Sequence, residues 1–170
     1  ACLVAKPRQG APHGLHAEFP FDEETGELRM TYQPLAWQRG APGKLHGGVL
    51  AALLDEAQGM LCHHLGHMVM TDQLELKYHK ATALDAPLTI RAWITAARKR
   101  RLYTRAELHS GGELRVHSRG VWYILPDRIF DRMFGAQMNA AERELLFTTL
   151  ESNRKRAQQI RRRLRNSTKT

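Results

Sequence analysis

Two cysteines in 170 residues, Cys2 and Cys62, are too few for the disulfide framework of a small secreted scaffold. No apolar run reaches the roughly 18 residues that a membrane-spanning helix needs. The opening residues also lack the charged start and apolar middle of a secretory leader, so the expectation is the cytoplasm or an organelle lumen. Internal repeats are missing, and the one biased segment is the arginine-rich end. Acidic residues are scarce there: from Arg154 onward there are eight basic side chains and no acidic one. The whole chain holds 26 Lys and Arg against 17 Asp and Glu, a formal charge of +9. Residues 126–170 hold 11 basic and 5 acidic side chains, so +6 of the excess lies in that final quarter. Residues 1–125 are only mildly basic, and charge alone does not make them a nucleic-acid binder.

What is present is one domain's worth of chain with 42% hydrophobic residues. Leu15–Phe19 and Glu27–Gln33 read as strands, with the acidic stretch Phe21–Gly26 as a turn between them. A Gly- and Pro-bearing loop, Ala36–Lys44, follows. From Gly48 to Leu65, Val49, Leu50, Leu53, Leu54, Ala57, Met60, Leu61 and Leu65 recur at helical spacing, and Gly66 supplies the stop. The period then changes to two in four runs: Gln73–Tyr78, Leu88–Ile94, Leu102–Leu108 and Leu114–Leu125. Short connectors favour antiparallel hairpins. The order predicts an α+β domain, an antiparallel sheet on one helix, over residues 1–125. Beyond Pro126, Asn139 and Glu142 form a capping-box pattern. Leu146, Leu150, Ala157, Ile160 and Leu164 then continue a basic helix of about 26 residues in a 126–170 extension.

The chemistry-bearing segment is His46-Gly47-Gly48 with Asp55 further along the same helix. Two glycines at a helix start let a ligand approach backbone amides that lack helical partners and sit at the positive end of the helix dipole. Such amides suit an anion or a carbonyl oxygen gaining charge; glycine at that point also serves plain close packing. On a helical wheel Asp55 lies away from Val49, Leu50, Leu53, Ala57 and Met60, among Ala51, Ala52, Gly59 and Cys62. Small residues around a carboxylate permit another backbone to come close, whereas a solvated face usually carries longer polar side chains.

His46-Gly47-Gly48 followed by Asp55 resembles the signature of the hotdog-fold acyl-CoA thioesterases, in the branch typified by the phenylacetate-pathway enzyme. The resemblance runs from Cys2 to Leu125. Pro12-His13-Gly14-Leu15 is similar to the element that opens many members, and Cys2 to the first cysteine of their Cys-x-x-Cys-Gly start, whose second cysteine is Ala5 here. The resemblance implies a hotdog fold, an antiparallel sheet wrapped around one long central helix, and hydrolysis of an acyl-CoA substrate in lipid metabolism without a cofactor or metal. It implies that a Gly47 or Gly48 amide polarises the thioester carbonyl and that Asp55 acts as nucleophile or general base. Thr71 would orient water or the carboxylate, and His46 would support the loop. Glu56 is the rival carboxylate; its wheel position beside Val49 and Met60 favours a structural role.

Distance constrains the oligomer. Asp55 stands seven residues after Gly48, ~10 Å along the helix axis, and reacting groups must close to about 3 Å. One thioester reaches both if two antiparallel helices share the site across a two-fold, as a homodimer or a dimer of dimers. Arg98-Lys99-Arg100-Arg101 makes a cationic turn that suits the phosphates of coenzyme A or remains a solvated hairpin. Cys62, His63, His64 and His67 match no common zinc spacing. The basic end suits an anionic surface, nucleic acid or an acidic partner, or simply complements its own helix dipole. A non-catalytic acyl-CoA-binding module with that end docked on a partner is the alternative to the enzyme.

Overall fold

The computed structural model describes residues 14–167, and side chains as far as residue 163. Cys2, Ala5, Pro12 and His13, with the Leu164 side chain, lie outside the described residues.

The apolar helix expected from the 3–4 spacing runs Gly47–His64 (α1). Leu53, Leu54, Ala57 and Leu61 are fully buried along it and centre the main core. Around it wraps one six-stranded sheet. Its strands are β1 (Phe21–Asp22), β2 (Glu27–Tyr32), β3 (Met68–Tyr78), β4 (Leu88–Arg98), β5 (Arg101–Ser110) and β6 (Glu113–Leu125), in the spatial order β1-β2-β4-β5-β6-β3. Every pairing is antiparallel. The period-two pattern is realised as a buried face of Leu28, Met30, Leu88, Ile90, Ala106, Leu108 and Val116 against α1. This is the α+β hotdog arrangement, with β3 left at one end of the sheet.

Two early expectations shift. Leu15–Phe19 forms no strand: His16 takes φ 50, which interrupts extended backbone, although Leu15 and Ala17 are buried in the core. The acidic stretch instead supplies β1 and a turn in which Asp22 accepts from the Glu24 amide at 2.8 Å. After Pro126 a short helix, α2 (Asp127–Phe134), precedes the long basic helix α3 (Ala140–Ser167). Asn139 and Glu142 cap α3 reciprocally, at 2.9 and 3.1 Å. Among the described residues no helix is long and apolar enough to cross a membrane.

α3 lies on the C-terminal end of α1. Leu150, Ala157 and Ile160 are buried. Asn153 donates to the His63 carbonyl at 2.9 Å, and Arg154 donates to the Gly66 carbonyl at 2.8 Å. Arg154 also pairs bidentately with Asp127, and Arg156 with Glu23 at 3.2 Å. Arg154 and Arg156 thereby tie the extension to the body.

A polar network threads the apolar core. Trp122 Nε1 donates to Thr104 Oγ1 at 2.8 Å, and Thr104 donates to Gln58 Oε1 at 2.6 Å. Gln58 Nε2 donates to Ser118 Oγ and to the Leu54 carbonyl, both at 2.9 Å. Buried polar groups of this kind are costly to leave unmatched. A Cβ on Gly120 would stand within 3.0 Å of Trp122 Nε1, Thr104 Oγ1 and Gln58 Oε1. Gly120→Ala should therefore destabilise the fold by about 2–3 kcal/mol. A chemical denaturation midpoint equal to that of the parent protein would show that the network yields freely.

Candidate active site

Loop geometry delivers the His-Gly-Gly segment. Gln38 is buried, receives the Leu35 amide on its side-chain oxygen at 2.9 Å, donates to Tyr32 Oη, and accepts the His46 amide on its carbonyl at 2.9 Å. Leu45 is buried, and its amide bonds the Thr82 carbonyl at 3.0 Å. His46 is thus fixed in extended backbone as the N-cap of α1, and its Nδ1 accepts the Gly48 amide at 2.9 Å. That leaves the Gly47 amide, which finds no acceptor among the described residues. Tyr78, at the end of β3, donates from its hydroxyl to the Gly47 carbonyl at 3.0 Å and holds that peptide in place. An added Cβ at 48 would come within 3.0–3.1 Å of the His46 ring, so a larger residue there would push on the imidazole that caps the helix.

Asp55 sits half-buried in the middle of α1, and Thr71 Oγ1 of β3 donates to its Oδ1 at 3.2 Å. Burial raises the Asp55 pKa above the ordinary carboxylate value, with the Thr71 hydrogen bond pulling the other way. A carboxylate so placed is a stronger base than a solvated one. Beside Thr71, β3 carries an irregularity in its register between Thr71 and Gln73. There Asp72 takes an ion pair from Arg101 at 2.9 Å. Bulges commonly re-aim side chains next to functional sites. Glu56, the rival carboxylate, is also half-buried and already engaged.

Asp55 and Thr71 are therefore brought together within one chain, as are His46, Gly48 and Gly47. The two groups lie on different turns of α1. Arg98, Lys99 and Arg100 are exposed at the β4–β5 turn, where Lys99 adopts φ 53, and Arg100 reaches the Tyr123 hydroxyl at 3.4 Å. The Cys62–His67 cluster disperses. Cys62 is buried and its thiol pushed up to about 12 by desolvation. His64 stacks on Phe21 and meets the Phe19 carbonyl at 3.0 Å. Burial pushes the pKa of His63, His64 and His67 down. Gln38 and Tyr78, which hold the glycine loop, were not singled out from sequence. Their roles rest on contacts that span six residues in one case and 31 in the other.

Helix, wrapped sheet and strand order define a protein of the hotdog class. Residues 42–117 match the family model of the thioesterase superfamily. An acyl-coenzyme A thioesterase of Xenopus laevis is 26% identical over 62% of this chain and 48% of its own length. One from Rattus norvegicus is 28% identical over 62% and 46%. The chain thus spans about half the length of the curated relatives it matches. Among solved structures, a thioesterase superfamily protein is similar with a TM-score of 0.61 and 29% identity, over 64% of this chain and 56% of that one. A hypothetical thioesterase protein of Streptococcus pneumoniae, solved with coenzyme A, shares the fold at a TM-score of 0.59 and 22% identity, over 63% and 86%.

Proposed function

We propose that the chain hydrolyses acyl-CoA thioesters, with residues 1–125 as the catalytic body and 126–170 as an extension. The observation that carries this reading is Asp55: a half-buried carboxylate of raised pKa, held by Thr71, on a helix that begins in a free glycine amide. The acyl-coenzyme A thioesterase names of the relatives support the substrate class.

Asp55 removes a proton from water, and the water oxygen attacks the thioester carbon. The carbonyl oxygen gains negative charge opposite the Gly47 amide. Collapse breaks the C–S bond, and the departing thiolate takes the proton back from Asp55, which releases a carboxylic acid and CoA. Arg98, Lys99 and Arg100 would meet the phosphates of the nucleotide end. The separation of Asp55 from Gly47 along α1 favours a homodimer in which each site takes its carboxylate from one subunit and its amide from the other. β3 supports this arrangement, because its outer edge is eleven residues long and has no strand partner among the described residues. Such an edge is a template for a second copy.

A panel of short-, medium- and long-chain CoA thioesters, assayed by release of the free thiol, tests the reading. At least one member should turn over with kcat/KM of roughly 10⁴ M⁻¹ s⁻¹ or more. A panel hydrolysed no faster than by buffer would reject it.

A further inference from the structure

The extension does more than cover the end of α1. Between α3 and the far ends of β4 and β5 lies a cavity of about 470 Å³. That is within the roughly 300–1,000 Å³ of small-molecule sites. β2 pairs with β4 only from Leu88 to Ala92, so the remaining half of β4 has no strand on that side among the described residues. α3 approaches the gap with Ala157 and Ile160, and Leu65 closes the end below α1. Ile94 and Leu102 supply further apolar wall from β4 and β5. Trp93 and Ala97 stand on the same wall, and Ala97 is exposed.

The charge left unpaired on the rim has one sign. Arg161 lines the cavity and has no acidic partner among the described residues. Arg98 follows Ala97 and Arg101 precedes Leu102, so the β4–β5 wall leads directly into the cationic turn. The one carboxylate on the rim, Glu27, is already taken by Arg91 and Arg29. An apolar pocket with an unpaired guanidinium at its mouth matches one chemistry, a hydrocarbon chain ending in an anionic head.

We infer that the cavity between α3 and the β4–β5 end of the sheet binds a single-chain anionic amphiphile, its tail among Leu65, Ile94, Leu102 and Ile160 and its head on Arg161. Neither Asp55 nor Thr71 lines this cavity, so the site stands apart from the proposed catalytic one and does not depend on it. A free fatty acid and a lipid bearing a phosphate head share the chemistry.

Trp93 provides the test, because bromine quenches a neighbouring indole. Titration of the full chain with ω-brominated laurate should give saturable quenching that largely disappears in Trp93→Phe. Ala97→Phe, on an exposed position, should fill the pocket and weaken binding about tenfold. Arg161→Gln should weaken the carboxylate about fivefold and leave the matching brominated alcohol unchanged. Competition by lauryl phosphate as strong as by laurate would assign the site to anionic heads of either source; preference for laurate would assign it to the free acid. Quenching that persists in Trp93→Phe would overturn the proposal. So would equal binding of alcohol and carboxylate with no effect of Arg161→Gln.

Discussion

Asp55→Asn should abolish most thioester turnover and at the same time make the protein more stable. The loss follows from the proposed role: a positioned general base contributes about 10²–10⁴ in rate, so kcat should fall by roughly a thousandfold. The gain follows from the environment. Burial raises the Asp55 pKa in the folded state, so the folded protein holds a proton there more tightly than the unfolded chain does. Stability from that group is therefore full below the unfolded pKa, near about 3.9, and is lost as pH rises through the folded value. At neutral pH the charged carboxylate is a net cost, and asparagine removes it while keeping an oxygen for Thr71. Thermal melts at neutral pH should thus rise for the inactive variant. A melt lowered at neutral pH would show that the carboxylate stabilises the site. The same raised pKa places the acid limb of kcat/KM above the range of a solvated aspartate, since the base must be ionised to act. Mixing the Asp55→Asn chain with one altered at Gly48 tests the shared site: mixed dimers rebuild one intact site and recover activity that neither variant has alone.

Gly66→Ala should be the most damaging single change to the fold outside the core. Gly66 has φ +81, a conformation that costs an L-residue roughly 1–2 kcal/mol. An added Cβ would also meet the Arg154 backbone, at 2.7 Å from its amide nitrogen and 2.9 Å from its Cα. Backbone in the middle of a long helix cannot step aside locally, so α3 as a whole must shift. The loss should reach about 3 kcal/mol, a fall in Tm of roughly 6–12 °C for a chain of this size. Because the strain falls on the α1–α3 junction, protease cleavage between residues 126 and 140 should quicken before the sheet melts. A variant that melts with the parent protein would mean that α3 does not rest on Gly66.

How legible this was depends on whether a feature is local. α1 could be read to within one residue at either end, because its apolar positions recur densely at helical spacing and Gly66 follows its last turn. Asp55 and Thr71 could be paired because the resemblance carried both. His16 could not be foreseen as the residue that breaks the first expected strand, since nothing in its type demands a φ of 50, and Leu15 and Ala17 on either side are buried as a strand's apolar residues would be. α2 was missed for a physical reason: Ile129, Phe130, Met133 and Phe134 do recur at helical spacing, but over only eight residues, shorter than the stretch in which that period can be told from chance. Its first-turn Asp127 is held by Arg154, 27 residues away, and Asp131 by Arg143. The choice between the Gly47 and Gly48 amides likewise needed the His46 ring, which takes one of them and leaves the other.

The fit between Gly66 and the Arg154 backbone also bears on how such proteins diversify. A hotdog body can acquire a C-terminal helix by fusion, but this helix rests where a side chain on the receiving residue would block it. Body and extension are in that sense co-specified. Grafted onto a relative with any larger residue in the corresponding turn, α3 would find no seat. Stripped of α3, this body would leave Leu65 and the far half of β4 facing water.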